Sequence, residues 1–403
     1  MPTPPTASHH AVVIIGGGTA GLTVAARLRR AGIRDVAVIE PSDRHYYQPL
    51  WTLVGGGCAP AKATVRPQAS LMPKGVTWVH GRATDIDPEA KTVSVGDSQV
   101  LSYEHLVVAP GLQLDFDKVH GLTETLGANG VSSNYRFDLA PRTWEFIRET
   151  RGGTALFTMP PGPIKCAGAP QKIAYLAADY WRRQGRLDNI RVVLVLPTAV
   201  IFSQPDWAKV LEKIAAGYGI EVRRESQLVE VNGEQRQAVV LDNKTGTKES
   251  IEYTMLHAVP PQSAPDWIKR TPLADPASPF GYVKVDQYTL QSPTWPSVFA
   301  LGDSANLPTS KTGAAIRKQA PVVVANLLAS RNGEPSTARY DGYTSCPLVT
   351  SHNRMLLAEF DYELKPRPSI PLINTMKPRY DMWLLKRYGL PALYWHGMLR
   401  GRA

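Results

Sequence analysis

Three glycines and a carboxylate carry the first chemical signal in this chain. Gly16, Gly18 and Gly21 stand as G-x-G-x-x-G, followed by Glu40 at the end of HAVVIIGGGTAGLTVAARLRRAGIRDVAVIE. This pattern suits a dinucleotide. Gly16 permits a tight turn, Gly18 lets the backbone approach a pyrophosphate, and Gly21 lets a helix pack closely on a strand. Glu40 sits where a carboxylate accepts from ribose hydroxyls. A second carboxylate, Asp303, follows Gly302, with Lys311 and then Gly313, Ala314, Ala315 and Ile316 downstream. Sulfur is sparse: Cys58, Cys166 and Cys346. They form no CxxC or zinc-type spacing, so no metal site is expected, and three is too few for a disulfide-stapled secreted fold.

The elements that must hold these groups can be read from the pattern of apolar residues. Val12 to Ile15 reads as a buried strand, Leu22, Ala25, Ala26 and Leu28 as a helix face, and Val36 to Ile39 as the next strand. That helix would offer Thr19 and its neighbours as free N–H groups at a positive dipole end. Further strands are expected at Val76–Val79, Thr92–Val95 and Leu106–Ala109, the last ending in Pro110-Gly111. This end resembles the crossing point of flavoproteins with two dinucleotide domains. Gly302-Asp303 closes a strand at Val298–Ala300 and precedes a helix at Ala314–Leu328. In such a fold the Asp bonds a ribityl hydroxyl, and the helix N-terminus with Lys311 adds positive charge near the flavin. The loop with Gly55 to Gly57 would allow close backbone approach to the isoalloxazine, with Cys58 read as a spare thiol.

A second crossover has a different turn. Thr154–Thr158 reads as its strand, Ala169–Arg183 as its helix, with Ile173, Leu176, Ala177 and Tyr180 on one face, and RVVLVLPT as the following strand. Between strand and helix stands MPPGPIKCAGAP. Pro160, Pro161 and Pro163 remove N–H donors, no glycine motif is present, and Leu196-Pro197 supplies no ribose partner. The scaffold of a nicotinamide site is retained without its chemistry, and Cys166 stands on the turn.

At 403 residues, 43% apolar and 20% charged, the chain is long enough for two or three folded domains. The expected architecture is α/β: two Rossmann-like dinucleotide-binding domains of the glutathione reductase type plus a C-terminal amphipathic membrane-contact region. Residues 10–111 and 285–330 would form the FAD domain, 112–284 the second domain, and 331–403 the rest. The net charge of +10 favours anionic surfaces, but no nucleic-acid motif is present. No apolar run reaches 18 residues, and MPTPPTASHH reads as a disordered tail without an export signal. Trp383, Leu384, Tyr388, Tyr394 and Trp395, interleaved with Lys386, Arg387 and Arg400, suit short helices at a lipid interface.

The stretches HYYQPLWTLVG, IKCAGAPQKI, GDSANLPTSKTGAA, YDGYTSCPLVT and LAEFDYE resemble the sulfide:quinone oxidoreductases of the mitochondrial-type branch. The resemblance implies non-covalent FAD, held also by Gln48 and Ala83, and two redox cysteines matching Cys166 and Cys346. Hydrosulfide would attack their disulfide or sulfur-bridged form. Cys346 would take the sulfur as a persulfide and Cys166 would leave as a thiolate, with Lys165 lowering its pKa. Glutathione, sulfite or sulfide would accept the sulfur, and a ubiquinone-type quinone the electrons, with Phe360 and Tyr362 as quinone-wall candidates. Localisation would be monotopic, on the cytoplasmic face of a bacterial inner membrane or the matrix face of the mitochondrial one, with room for a homodimer. Rival readings are a type II NADH:quinone oxidoreductase, the flavin subunit of a cytochrome-linked sulfide dehydrogenase, and a flavin-bound scaffold without turnover.

Overall fold

Each crossover read from the sequence builds its own parallel sheet in the computed structural model, which describes residues 8–166, 168–370 and 372–403. The expected N-terminal tail lies largely outside these residues. Where it enters them it is ordered, since the first strand begins at Ser8 and runs to Ile15. This strand pairs with Val36–Ile39 on one side and Gln99–Val108 on the other, and Thr77–Val79 and Val298–Ala300 extend the sheet outward. Parallel strands covered on both faces need continuous apolar runs, and Val12–Ile15 and Val36–Ile39 are nearly free of solvent.

Register explains why the scattered motifs meet. Ile15 lies opposite Ile39 and Val108, and Val108 lies opposite Ala300. The residues after these strand ends are Gly16, Glu40, Ala109 and Leu301-Gly302, so one rim of the sheet receives all of them. Gly16 has φ +98° there, and a Cβ on it would stand 2.3 Å from the Ala109 carbonyl oxygen. A Cβ on Gly21 would lie 1.8 Å from the Gly16 carbonyl oxygen. Only glycine permits this helix–strand approach.

The second sheet orders Val131–Ser132, Met255–His257, Gly153–Thr158, Ile190–Val195 and Glu221–Arg223. Thr158 pairs with Val195, and the cysteine-bearing turn leaves from this end. Its helix, Ala169–Arg183, is buried on far more than the single face expected from its periodicity: Pro170 to Asp179 and Trp181 are all buried. A hairpin, Thr344–Ser351 with Arg354–Phe360, packs on the side away from the sheet. Each fully buried large side chain in this sandwich stabilises by about 1.5–3 kcal/mol. An antiparallel sheet of Ser226–Asn232, Gln237–Asp242 and Lys248–Glu252 occupies the segment before Met255.

The C-terminal turns, from the Tyr380–Leu384 helix to Arg400, are two-sided. Lys386, Tyr394, Trp395, Met398 and Leu399 face inward and are buried. Tyr380, Leu384, Tyr388 and Leu393 remain exposed. No described helix is long and apolar enough to cross a membrane.

Candidate functional site

At the first rim, the helix Thr19–Arg30 begins at Gly18 without any side-chain cap. Its first-turn N–H groups are therefore unclaimed, and nothing lies within 4 Å of where a Gly18 Cβ would stand. An uncapped N-terminus facing open space fits a pyrophosphate. The Glu40 carboxylate is held by N–H donors of Gly17 and Ser42, each at 2.8 Å, which aims it along the same rim. Burial raises its pKa, against the pull of those two bonds. The Thr19 hydroxyl is 2.9 Å from the Tyr394 hydroxyl, so what Thr19 offers a cofactor is its backbone N–H.

Asp303 is half-buried, with its carboxylate making no hydrogen bond to the described residues. Burial raises its pKa, while Lys311 and Lys165 pull the other way. Lys311 is fixed rather than free: its ammonium donates to the Asp303 and Ala305 carbonyls at 2.7 and 2.9 Å, and burial lowers its pKa to about 8. Thr312 caps the Gly313–Arg331 helix by accepting from Ala315 N–H at 3.1 Å, leaving the Gly313 and Ala314 donors uncapped. The small residues Gly313, Ala314 and Ala315 keep this helix end accessible, and Ile316 closes its first turn. Two open helix ends and a half-buried carboxylate with no hydrogen bond to the described residues fit a flavin dinucleotide. Ala83 lies apart from these groups in sheet order, opening the antiparallel strand Ala83–Asp87 opposite Val95.

The sulfur atoms of Cys166 and Cys346, distant in sequence, lie 4.0 Å apart. Cys166 sits on the second crossover's turn at φ +53°, a conformation unusual for a residue with a Cβ. Its N–H donates to the Lys311 carbonyl at 2.9 Å and its carbonyl accepts from Ala169 N–H at 2.7 Å. Cys346 is fully buried on the hairpin opposite Ala358, on the face turned to the Ala169–Arg183 helix.

The cation at the pair is not the one expected. Lys165 turns away, donating to Gln48 at 2.6 Å, and burial lowers its pKa to about 8. Gln48 thus meets a lysine in this structure. Lys172 instead points back from the second turn of the helix, with its ammonium donating to the Cys166 sulfur at 3.0 Å. The Cys346 thiol and then Lys172 hold the Cys166 pKa well below the usual thiol range, against burial. Cys346 is held well above it, by its bond to Cys166 and by burial. Burial disfavours charge on Lys172, but the adjoining thiolate outweighs it and keeps the ammonium protonated. Lys386 completes the surroundings: it is buried, donates to the Pro49 carbonyl at 2.7 Å, and has its pKa lowered to about 7 by burial and then by Lys172. The helical spacing of Lys172 from the turn is a signal that the sequence carries; Lys386 has no such signal.

Other expected residues lie elsewhere. Phe360 is buried in the core against Phe202 and Trp207, presenting no open wall. Tyr362 packs with Tyr288 and Tyr340, and its hydroxyl donates to the Gln287 carbonyl at 2.7 Å. Cβ atoms on Gly55, Gly56 and Gly57 would meet Asn134, Leu176 and Trp144, so these glycines let protein side chains approach. Cys58, read above as a spare thiol, is half-buried, with its pKa pushed up to about 12 by burial.

Known proteins share this chain's sequence and its fold. Residues 10–143 match the pyridine nucleotide-disulphide oxidoreductase family. The chain is 44% identical to the mitochondrial sulfide:quinone oxidoreductase of Dictyostelium discoideum, across 97% of this chain and 86% of that protein. It is 41% identical to the mouse mitochondrial protein of the same name, across 98% and 87%. The crystal structure of the Aquifex aeolicus sulfide:quinone oxidoreductase superposes with a TM-score of 0.80 at 19% identity, across 98% of this chain and 92% of that one, which establishes likeness of fold.

Proposed function

The chain belongs to the sulfide:quinone oxidoreductases, and from that premise we propose how its residues divide the work. It is a flavin-dependent enzyme that oxidises sulfide and delivers the electrons to a quinone. FAD, held without a covalent bond along the Gly16, Glu40 and Gly302-Asp303 rim and the first turn of the Gly313–Arg331 helix, supplies a two-electron carrier between thiols and quinone when bound.

The sulfur steps fall to Cys166 and Cys346. Hydrosulfide attacks the Cys346 sulfur of their disulfide. A new sulfur–sulfur bond forms at Cys346, the bond to Cys166 breaks, and Cys166 leaves with the electron pair as a thiolate. Lys172 favours that departure, because an ammonium 3.0 Å from the leaving sulfur stabilises its negative charge. A small nucleophile such as glutathione, sulfite or sulfide then attacks the outer sulfur of the Cys346 persulfide. It carries that sulfur away and returns Cys346 to a thiol. The two reduced sulfurs close again, giving up two electrons and the thiol proton, and a ubiquinone-type quinone is the final acceptor. The exposed C-terminal aromatics meet a membrane surface, on the cytoplasmic face of a bacterial membrane or the matrix face of a mitochondrial one.

The observation that supports this reading most is the 4.0 Å approach of the two sulfurs beside a buried ammonium, on a turn that lacks a nicotinamide motif. Cys166→Ser and Cys346→Ser should each slow sulfide-dependent flavin reduction by at least a thousandfold while keeping bound flavin. Wild-type rates in either variant would overturn the assignment.

A further inference from the structure

A basic cleft beside the Gly313–Arg331 helix has no part in the chemistry above. It measures about 770 Å³ and is lined by Arg317, Lys318, Arg339, Asp341, Tyr343 and Arg367. Arg367 is compensated by Asp341 and Asp361, each at 3.4 Å. Among the described residues Arg317, Lys318 and Arg339 form no ion pair, and Arg317 reaches only the Tyr343 hydroxyl, at 3.4 Å. Glu359, bonded to two of the wall residues, is buried and accepts from the Tyr343 hydroxyl and the Ser369 N–H. Cations without an ion-pair partner along its wall favour an anion in the cleft.

The surroundings of the cleft indicate which anion. Residues 367–370 and 372–379 follow the outer strand of the cysteine-bearing hairpin: Arg367 N–H donates to the Glu359 carbonyl, Leu357 N–H to the Thr375 carbonyl, and Met355 N–H to the Arg379 carbonyl. The cleft lies at one end of this edge and Tyr380, 51% exposed, at the other. Between them Leu372 is 97% exposed. It stands three residues beyond Ser369 of the cleft wall, and so within ~10 Å of it. Tyr388, at 58% exposure, extends the apolar side. An anion-holding mouth bordered by an exposed leucine and exposed tyrosines matches a headgroup phosphate above acyl chains.

We propose that this cleft seats the phosphate of an anionic phospholipid in a bilayer, with Leu372, Tyr380 and Tyr388 entering the interface beside it. The proposal rests on the membrane-contact reading above and adds a headgroup requirement. The flavin-loaded full chain should be sedimented with phosphatidylcholine vesicles and with vesicles containing about one-third phosphatidylglycerol. Binding should favour the anionic vesicles and fall as salt rises from 50 to 300 mM. Lys318→Ala with Arg339→Ala should lower partitioning to those vesicles roughly 30-fold and leave sulfide turnover with a water-soluble short-chain quinone unchanged. Equal binding to both vesicle types, or by wild type and double variant, would overturn the headgroup site while sparing membrane contact. Release by inorganic phosphate at matched ionic strength would make the cleft a free-phosphate site and also overturn it. Binding to neither vesicle would overturn the membrane reading itself, and the headgroup site with it.

Discussion

The two strand-to-helix turns of this molecule start from the same scaffold and carry different chemistries. At the first, Gly16 and Gly21 lack side chains because backbone atoms occupy the space, and the helix N-terminus stays uncapped beside open volume. At the second, the chain between Thr158 and Ala169 is lengthened, stiffened with proline and closed over by a hairpin, and it presents a cysteine where the other presents N–H groups. One turn offers donors to a phosphate; the other offers a sulfur to a second sulfur. A crossover's function thus depends on what its turn leaves open and what a later segment places over it.

The largest expected effect comes from exchanging what each turn cannot tolerate. Gly21→Ala puts a methyl group 1.8 Å from a carbonyl oxygen and should prevent a folded, flavin-loaded protein from being recovered. Gly168→Ala, at the matching helix start of the second crossover, meets the end of the Leu348 side chain at 2.5 Å and should fold, since a side chain can move. Flavin content and thermal unfolding of both variants test the contrast; equal behaviour would erase it.

Next in size is the cation at the sulfur turn. Lys172→Met should raise the Cys166 pKa and slow sulfide-dependent flavin reduction roughly 10- to 100-fold near pH 7, a change of one to two pKa units. Because the folded-state pKa of Cys166 lies below the usual thiol value, its thiolate forms as pH rises through that lowered value. Removing Lys172 moves the acid limb of the pH–rate profile upward. Lys165→Met should leave that limb in place, since Lys165 points to Gln48.

How much of this was legible follows from how local each signal is. The glycine turn, Glu40, the missing second glycine motif and Gly302-Asp303 could be read because each lies within one strand–turn–helix unit. The first sheet's register then brings them to one rim. Lys172 is hard to read because Lys165 is the residue adjacent to Cys166 in sequence, whereas a helix brings back a residue one to two turns on. The family stretch makes Phe360 a quinone-wall candidate, but in its strand it turns into the core, on the same face as Ala358. Gly55 to Gly57 read as room for a cofactor, yet the neighbours are Asn134, Leu176 and Trp144, from parts of the chain that local pattern does not connect.

The smallest effect concerns the brace between the two cysteine-bearing elements. On the Ala169–Arg183 helix, Asp179 accepts from the His352 N–H at 3.0 Å and lies 2.8 Å from its Nδ1 at the tip of the hairpin. Burial opposes its charge, but the bonds from His352 outweigh it and lower the pKa to about 2. A depressed folded pKa gives stability that is present above about pH 4 and lost as pH falls through about 2. Asp179→Asn should therefore cost about 2 kcal/mol at neutral pH and flatten the acid side of the stability profile, measured by denaturant unfolding between pH 2 and 7. An unchanged acid profile would remove Asp179 from the brace.

The most direct test of sulfur entry through the rebuilt turn is anaerobic stopped-flow mixing of the flavin-loaded enzyme with sulfide and, separately, with NADH. Sulfide should bleach the flavin absorbance fully, and a quinone analogue should restore it, while NADH leaves the spectrum unchanged. Rapid bleaching by NADH, or sulfide bleaching that persists in Cys166→Ser, would contradict the account.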